Sequence, residues 1–156
     1  MSDYQRIQLL VYSYAERIDA GDFEAVAALM SKARLLYLPS AEVLEGGAQV
    51  LSANRMRVKI YPHTGTPCTT HYVNNLVIEL EGDRATAQSL FTVTQALEGF
   101  PLQTIMAGRY YDKFVKERPC VIKTILIFFI FYLCYKVFVN LFMLQRGILL
   151  KLGYKI

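Results

Sequence analysis

Two histidines occur in the chain, and only one sits where its imidazole would be sheltered. His71 lies near the start of TTHYVNNLVIEL, residues 69 to 80, a run that reads as a half-buried β-strand. An imidazole is suited to taking a proton from carbon or oxygen near neutral pH. It does so best when a carboxylate fixes its tautomer and stabilises the imidazolium. The plainer alternative is a structural histidine satisfied by its neighbours. His63, in the loop YPHTGTPC, has no evident partner. Cys68, Cys120 and Cys134 form no CxxC pair and have no histidine at metal-ligand spacing, so no metal site is expected.

The elements that would carry such chemistry can be read in order. Ser2 and Gln5 form a capping-box pattern, followed by an apolar stripe at Ile7, Leu10, Val11, Tyr14, Ala15 and Ile18. This is one face of an amphipathic helix that stops at Gly21. Asp19 lies near its end, about 40° around the helix from Ala15 and at the edge of the stripe. A carboxylate there faces the negative end of the helix dipole, an unfavourable site that invites a reason for its occupation. Asp22 can cap a second helix over about 23–31, and a short strand is expected over 34–38, broken at Pro39. Gly46-Gly47 opens a third helix running to about Val58. Three long strand-like runs follow, at about 69–81, 84–97 and 102–116, joined by the short links EGD and EGFP. Helices first and an antiparallel meander second make an α+β layout.

Charge separates the body from its tail. Residues 1–118 carry 12 Lys/Arg and 13 Asp/Glu, whereas residues 119–156 carry five Lys/Arg and no acid. The body has no basic face, so nucleic acid is not an expected partner. The N-terminus lacks an apolar secretory segment and the cysteines suggest reduced thiols, which together point to the cytoplasm. The tail contains no Asp, Glu or Ala, against 13 alanines before it. Three readings stay open for it. Cys120 to Phe131 is β-branched and aromatic enough for a final strand of about 119–130. Residues 121–144 have about the length of a membrane span, flawed by Lys123, Lys136 and Asn140, so membrane association through this stretch is one expectation. The third is a non-native C-terminus from an altered reading frame or fusion. On any reading, 131–156 is an apolar, basic tail for which a helix is one form.

Three stretches carry a resemblance. YAERIDAGDFEAVAALM (14–30), TTHYVNNLVIEL (69–80) and AGRYYDKF (107–114) closely resemble the SnoaL-like branch of the nuclear-transport-factor-two-like superfamily, over roughly residues 4–118. The T-H-Y-x-x-N-L strand is the more selective motif. The resemblance implies N-terminal helices packed on a strongly curved antiparallel sheet that forms a cone-shaped pocket, a cystatin-like roll, often dimeric through the sheet. It also implies that Asp19 and His71 match the Asp–His dyad of dehydratase and dehydrochlorinase members, such as scytalone dehydratase, bile-acid dehydratase and hexachlorocyclohexane dehydrochlorinase. Tyr14 matches a pocket tyrosine of some members, and Lys116 falls near a cationic position before the last strand. The ending departs from the family, with Val121 where a Trp is usual. A ketosteroid-isomerase mechanism is discounted, because its base would fall near Leu38.

The expected function is a cofactor-independent lyase acting on a small apolar cyclic molecule. His71 removes a proton next to a leaving group, Asp19 holds the imidazole, and Tyr14 assists the departing hydroxide or halide. Asn75, Ser89, Arg109 and Lys116 complete the expected substrate contacts, with Ser89 and Arg109 as candidates for the second polar group at the leaving atom. The alternative is a non-catalytic binding or dimerisation module with the same cone. Each residue also has an ordinary reading: Tyr14 as core, Asp19 as a solvated residue before the turn, Asn75 as a backbone partner, Arg109 and Lys116 on a solvated sheet face.

Overall fold

The computed structural model describes residues 1–38 and 40–117, together with the backbone of 120–133. Helix α1 spans Asp3–Ala20, and the expected capping box forms: the Gln5 amide donates to Ser2 Oγ at 3.2 Å, and the Ser2 amide donates to Gln5 Oε1 at 2.9 Å. Its inward face buries Ile7, Val11, Ala15 and Ile18, each one helical turn from the next. Gly21 ends it at φ 75°, a left-handed conformation that a side chain disfavours. Asp22 then caps α2, Phe23–Leu29, by accepting from the Ala25 amide at 3.0 Å. α3 covers Gly46–Arg57 and lies so close to α2 that a Cβ on Gly47 would come within 2.4 Å of the Ala27 carbonyl oxygen.

The strands are β1 (Arg34–Leu38), β2 (Glu42–Glu45), β3 (Thr69–Glu81), β4 (Arg84–Leu97), β5 (Phe100–Glu117) and β6 (Cys120–Leu133). They form one sheet in the order β2-β1-β6-β5-β4-β3, antiparallel throughout except where β1 runs parallel to β6. The α+β class is as expected, a helical layer against an antiparallel sheet. β2 was not expected, because EVLE is too short to show alternation of its own. β5 begins two residues before the expected Leu102: Leu97 pairs with Phe100 across a two-residue turn in which Gly99 takes φ 69°.

Long strands curl where the ladder slips. The β3–β4 register shifts between Asn74 and Val77, the β4–β5 register between Val93 and Thr94 and between Gln95 and Leu97, and the β5–β6 register at Gly108 and Phe114. Such bulges raise local twist and bend the strand, so the sheet curves around one face. That face carries two clusters. Ile18, Phe23, Val26, Met30, Leu35, Val50, Phe91, Val93 and Tyr110 belong to the larger, under α2 and α3. Ile7, Val11, Ala85, Ala87 and Phe114 form the smaller, toward the start of α1.

No helix among the described residues is long and apolar enough to cross a membrane. Residues 121–133 of the stretch read above as a span are strand in β6, and 134–156, with the expected tail helix, lie outside the described residues.

Candidate active site

The site is assembled at the C-terminal end of α1. Gly21 turns the chain there, and the loop over 60–68 closes against it: a Cβ at Gly21 would meet Ile60 Cδ1 at 2.8 Å and the Gly65 carbonyl oxygen at 3.4 Å. Tyr61 and Thr66 bridge across that loop, and Gln95 Nε2 donates to the Pro67 carbonyl at 3.0 Å. The loop thus delivers the chain to β3 directly beside Asp19.

Alternation along β3 then decides which side chains meet the helix. Thr69, His71 and Val73 are partly buried, whereas Thr70, Tyr72 and Asn74 are exposed. Asp19 accepts three hydrogen bonds from this one strand. His71 Nδ1 lies 2.6 Å from Asp19 Oδ1, the His71 amide donates to Oδ2 at 2.6 Å, and Thr69 Oγ1 donates to Oδ1 at 2.7 Å. The side chains of His71 and Asp19 are only 12% and 19% exposed. Burial alone would raise the Asp19 carboxyl, but the hydrogen bonds and charge of His71, with the Thr69 hydroxyl, outweigh it and hold Asp19 below the usual carboxylate value of 3.8. An ionised carboxylate only accepts, so Nδ1 carries the proton and Nε2 is the nitrogen left to take another.

Tyr14, also on α1, stands with its ring edge-on to His71, centroids 6.4 Å apart, and edge-on to Tyr110 at 6.3 Å. Tyr110 in turn stacks on Phe91 at 4.3 Å. Burial pushes the Tyr14 and Tyr110 phenols well above 10, with the nearby Tyr37, Asp19 and Asp112 adding to it. Burial likewise raises Tyr37 to about 12, against the pull of the Arg57 guanidinium. At neutral pH this interior therefore presents protonated phenols, which are hydrogen-bond donors. Among the described residues no group of three or more His, Cys, Asp or Glu is arranged to hold a metal ion.

The other expected contacts are distributed more widely. Ser89 is buried, 3% exposed, and pairs opposite Tyr110 on the inner face; its Oγ has no hydrogen-bond partner among the described residues. It lies four residues along β4 from Val93, the residue opposite His71, which is about 13 Å of strand. Asn75 sits in the β3 bulge at φ 54°, exposed, so the strand irregularity turns it away from the interior. Arg109 is on the outer face, where its guanidinium lies 5.9 Å from the Tyr111 ring centroid; its neighbours Gly108 and Tyr110, and Asp112 and Phe114 beyond, are buried. Lys116 pairs with Asp3 Oδ2 at 2.6 Å, at the far end of α1 and about 24 Å along the helix from Asp19. The cavity beside that pair has about 30 Å³, room for one water rather than a substrate. Asn75, Arg109 and Lys116 therefore do not join Asp19 and His71. Thr69, Tyr37 and Tyr110 do line or support the interior and were not anticipated. Thr69, two residues before His71, was signalled by strand period alone.

An N-terminal helical layer packed on a curled antiparallel sheet defines an α+β class of small domains. The SnoaL-like domain family matches over residues 1–119, and the chain belongs to that family. No curated protein matches the sequence. Among solved structures, a Mycobacterium tuberculosis protein of unknown function superposes with TM-score 0.71 at 20% identity, covering 84% of this chain and 73% of its own. A nuclear-transport-factor-two-like protein with a cystatin-like fold from Novosphingobium aromaticivorans gives TM-score 0.69 at 16% identity, over 89% and 88%. A candidate scytalone dehydratase from the same organism gives 0.67 at 17% identity, over 83% and 85%. At these identities the likeness is one of fold.

Proposed function

We propose that the domain is a cofactor-independent lyase of the dehydratase or dehydrochlorinase type. The observation that carries this is the contact between Asp19 and His71 at 2.6 Å, in a part-buried setting where both carboxylate oxygens are occupied. In the reaction, His71 Nε2 takes a proton from a carbon next to the leaving group. The C–H electron pair becomes the new double bond, and the leaving group departs with its own bonding pair. Asp19 stabilises the imidazolium, and Tyr14 donates to the departing hydroxide or cradles a halide. The imidazolium then returns its proton to solvent. A small apolar cyclic molecule is the proposed substrate class, with the Tyr14 ring edge-on to His71 beside the reacting nitrogen. A resemblance in fold to a candidate scytalone dehydratase supports the same class. The test is a screen of hydroxylated and halogenated cyclic substrates for elimination, with His71→Ala and Asp19→Asn alongside. Turnover that persists unchanged in both variants would sink the proposal.

Self-association through the sheet is the second reading, and the outer face favours it. Tyr72 and Val77 stand there 49% and 59% exposed, and Tyr111, two strands across from Val77, is 36% exposed. Sedimentation of the intact protein and of Tyr72→Asp tests this: a dimer in the first and a monomer in the second is expected, and a monomer in both overturns it.

A further inference from the structure

We infer that Thr69 is a positioning residue, whose hydroxyl fixes the Asp19 carboxylate so that His71 is held as its Nδ1–H tautomer with Nε2 available. The argument begins with how the two oxygens are shared. Oδ2 takes the His71 amide, and Oδ1 takes both the imidazole and the Thr69 hydroxyl. A carboxylate held by one amide can still pivot about its own bond and carry the other oxygen out of the imidazole plane. With Thr69 at 2.7 Å and His71 at 2.6 Å on the same oxygen, both acceptor directions of Oδ1 are used and the plane is set. The hydroxyl has a second effect. It draws charge from Oδ1, so when Nε2 collects a proton the one on Nδ1 stays on the ring instead of moving to Asp19. The need is greater because Asp19 lies at the negative end of α1, where no helix amide offsets its charge. Period-two alternation makes the arrangement a local property of β3: positions 69 and 71 face the helix together.

The structural consequence stands on this geometry alone, whereas the catalytic one rests on the elimination chemistry proposed above. Thr69→Val keeps the branched shape and removes the donor; Thr69→Ser keeps the donor. Long-range ¹H–¹⁵N spectra of the two imidazoles, assigned with His63→Gln and recorded with the ring neutral, read the tautomer. The native protein and Thr69→Ser should show His71 as Nδ1–H alone, and Thr69→Val a mixture of both tautomers. If an elimination substrate is found, Thr69→Val should lower kcat about tenfold with KM unchanged, the scale of one hydrogen bond to a charged group. Thr69→Ser should restore it. A single Nδ1–H tautomer in Thr69→Val overturns the inference. A mixed tautomer together with turnover indifferent to His71→Ala leaves the positioning intact and removes the lyase reading instead. Should Thr69→Val unfold, Thr69→Ala against Thr69→Ser reads the same hydroxyl.

Discussion

α1 is tied to the sheet by a carboxylate contact at each end, and the two have the same length. Asp3 meets Lys116 at 2.6 Å, and Asp19 meets His71 at 2.6 Å. Their surroundings differ. Asp3 lies in the first turn, where the helix dipole favours a negative charge, and its pair is about 30% exposed. Asp19 lies at the opposite end, disfavoured by the dipole, less exposed, and held by three donors from one strand. The first pair is accounted for by local electrostatics. The second needs strand donors to offset both burial and dipole, and it is the one that joins a group able to exchange protons near neutrality. Distance alone would not have told them apart.

The largest separation between the two ends is expected in turnover. With an elimination substrate in hand, His71→Ala and Asp19→Asn should each lower kcat/KM by about 10³-fold or more, the scale of losing a general base or the group that sets its tautomer. Asp3→Asn should leave kcat/KM within about twofold, since Asp3 touches no interior residue of the site; a comparable loss there would erase the distinction. Stability should separate them less. Asp19→Ala strands the Thr69 hydroxyl, the His71 amide and Nδ1, and should cost about 2 kcal/mol in urea unfolding. Asp3→Ala should move the midpoint by less, because water can replace its partner.

How much of this contrast was legible in the sequence depends on the kind of signal. The capping box, the α1 stripe and the Gly21 stop are local, and they placed Asp19 at a helix end correctly. The three long strands and their turns were equally local. That Asp19 and His71 touch is a matter of two positions 52 residues apart, and only the family resemblance brought them together in advance. Strand parity was the weak point. In AGRYYDKF a one-residue choice decides whether Arg109 or Tyr110 faces the interior, and both alternations contain apolar and polar residues. The structure buries Tyr110 and Asp112 and leaves Arg109 outside. The Asn75 bulge is likewise invisible to a period-two reading, because it exists only where the ladder slips.

A smaller effect tests whether the Asp19 end is set by its turn. Gly21→Ala places a Cβ 2.8 Å from Ile60 Cδ1 at φ 75° and should cost about 1–2 kcal/mol. Ile60 Cδ1 ends a flexible side chain and can give way, so most of that cost is backbone conformation. The His71 tautomer should survive, since the three donors to Asp19 come from β3 and not from the turn.

The smallest expected effect is in pH dependence, and there the two ends share a sign but not a cause. The Lys116 hydrogen bond lowers Asp3, and the His71 and Thr69 contacts lower Asp19 against burial, so both native values lie below 3.8. A carboxyl depressed in the folded state binds fewer protons there than in the unfolded chain. Its contribution is complete above the unfolded value and is lost as pH falls through the native one. Unfolding free energy measured by urea between about pH 2 and 6 should therefore rise with pH through the region around and below 3.8, and Asp19→Asn should flatten that rise. Adding salt sharpens the comparison: ions screen an exposed pair far more than a part-buried one. High salt should shrink the share removed by Asp3→Asn while the share removed by Asp19→Asn persists. Equal salt sensitivity at both ends would mean that the Asp19 contact is as open to water as its counterpart, and that three strand donors confer no sheltered character on it.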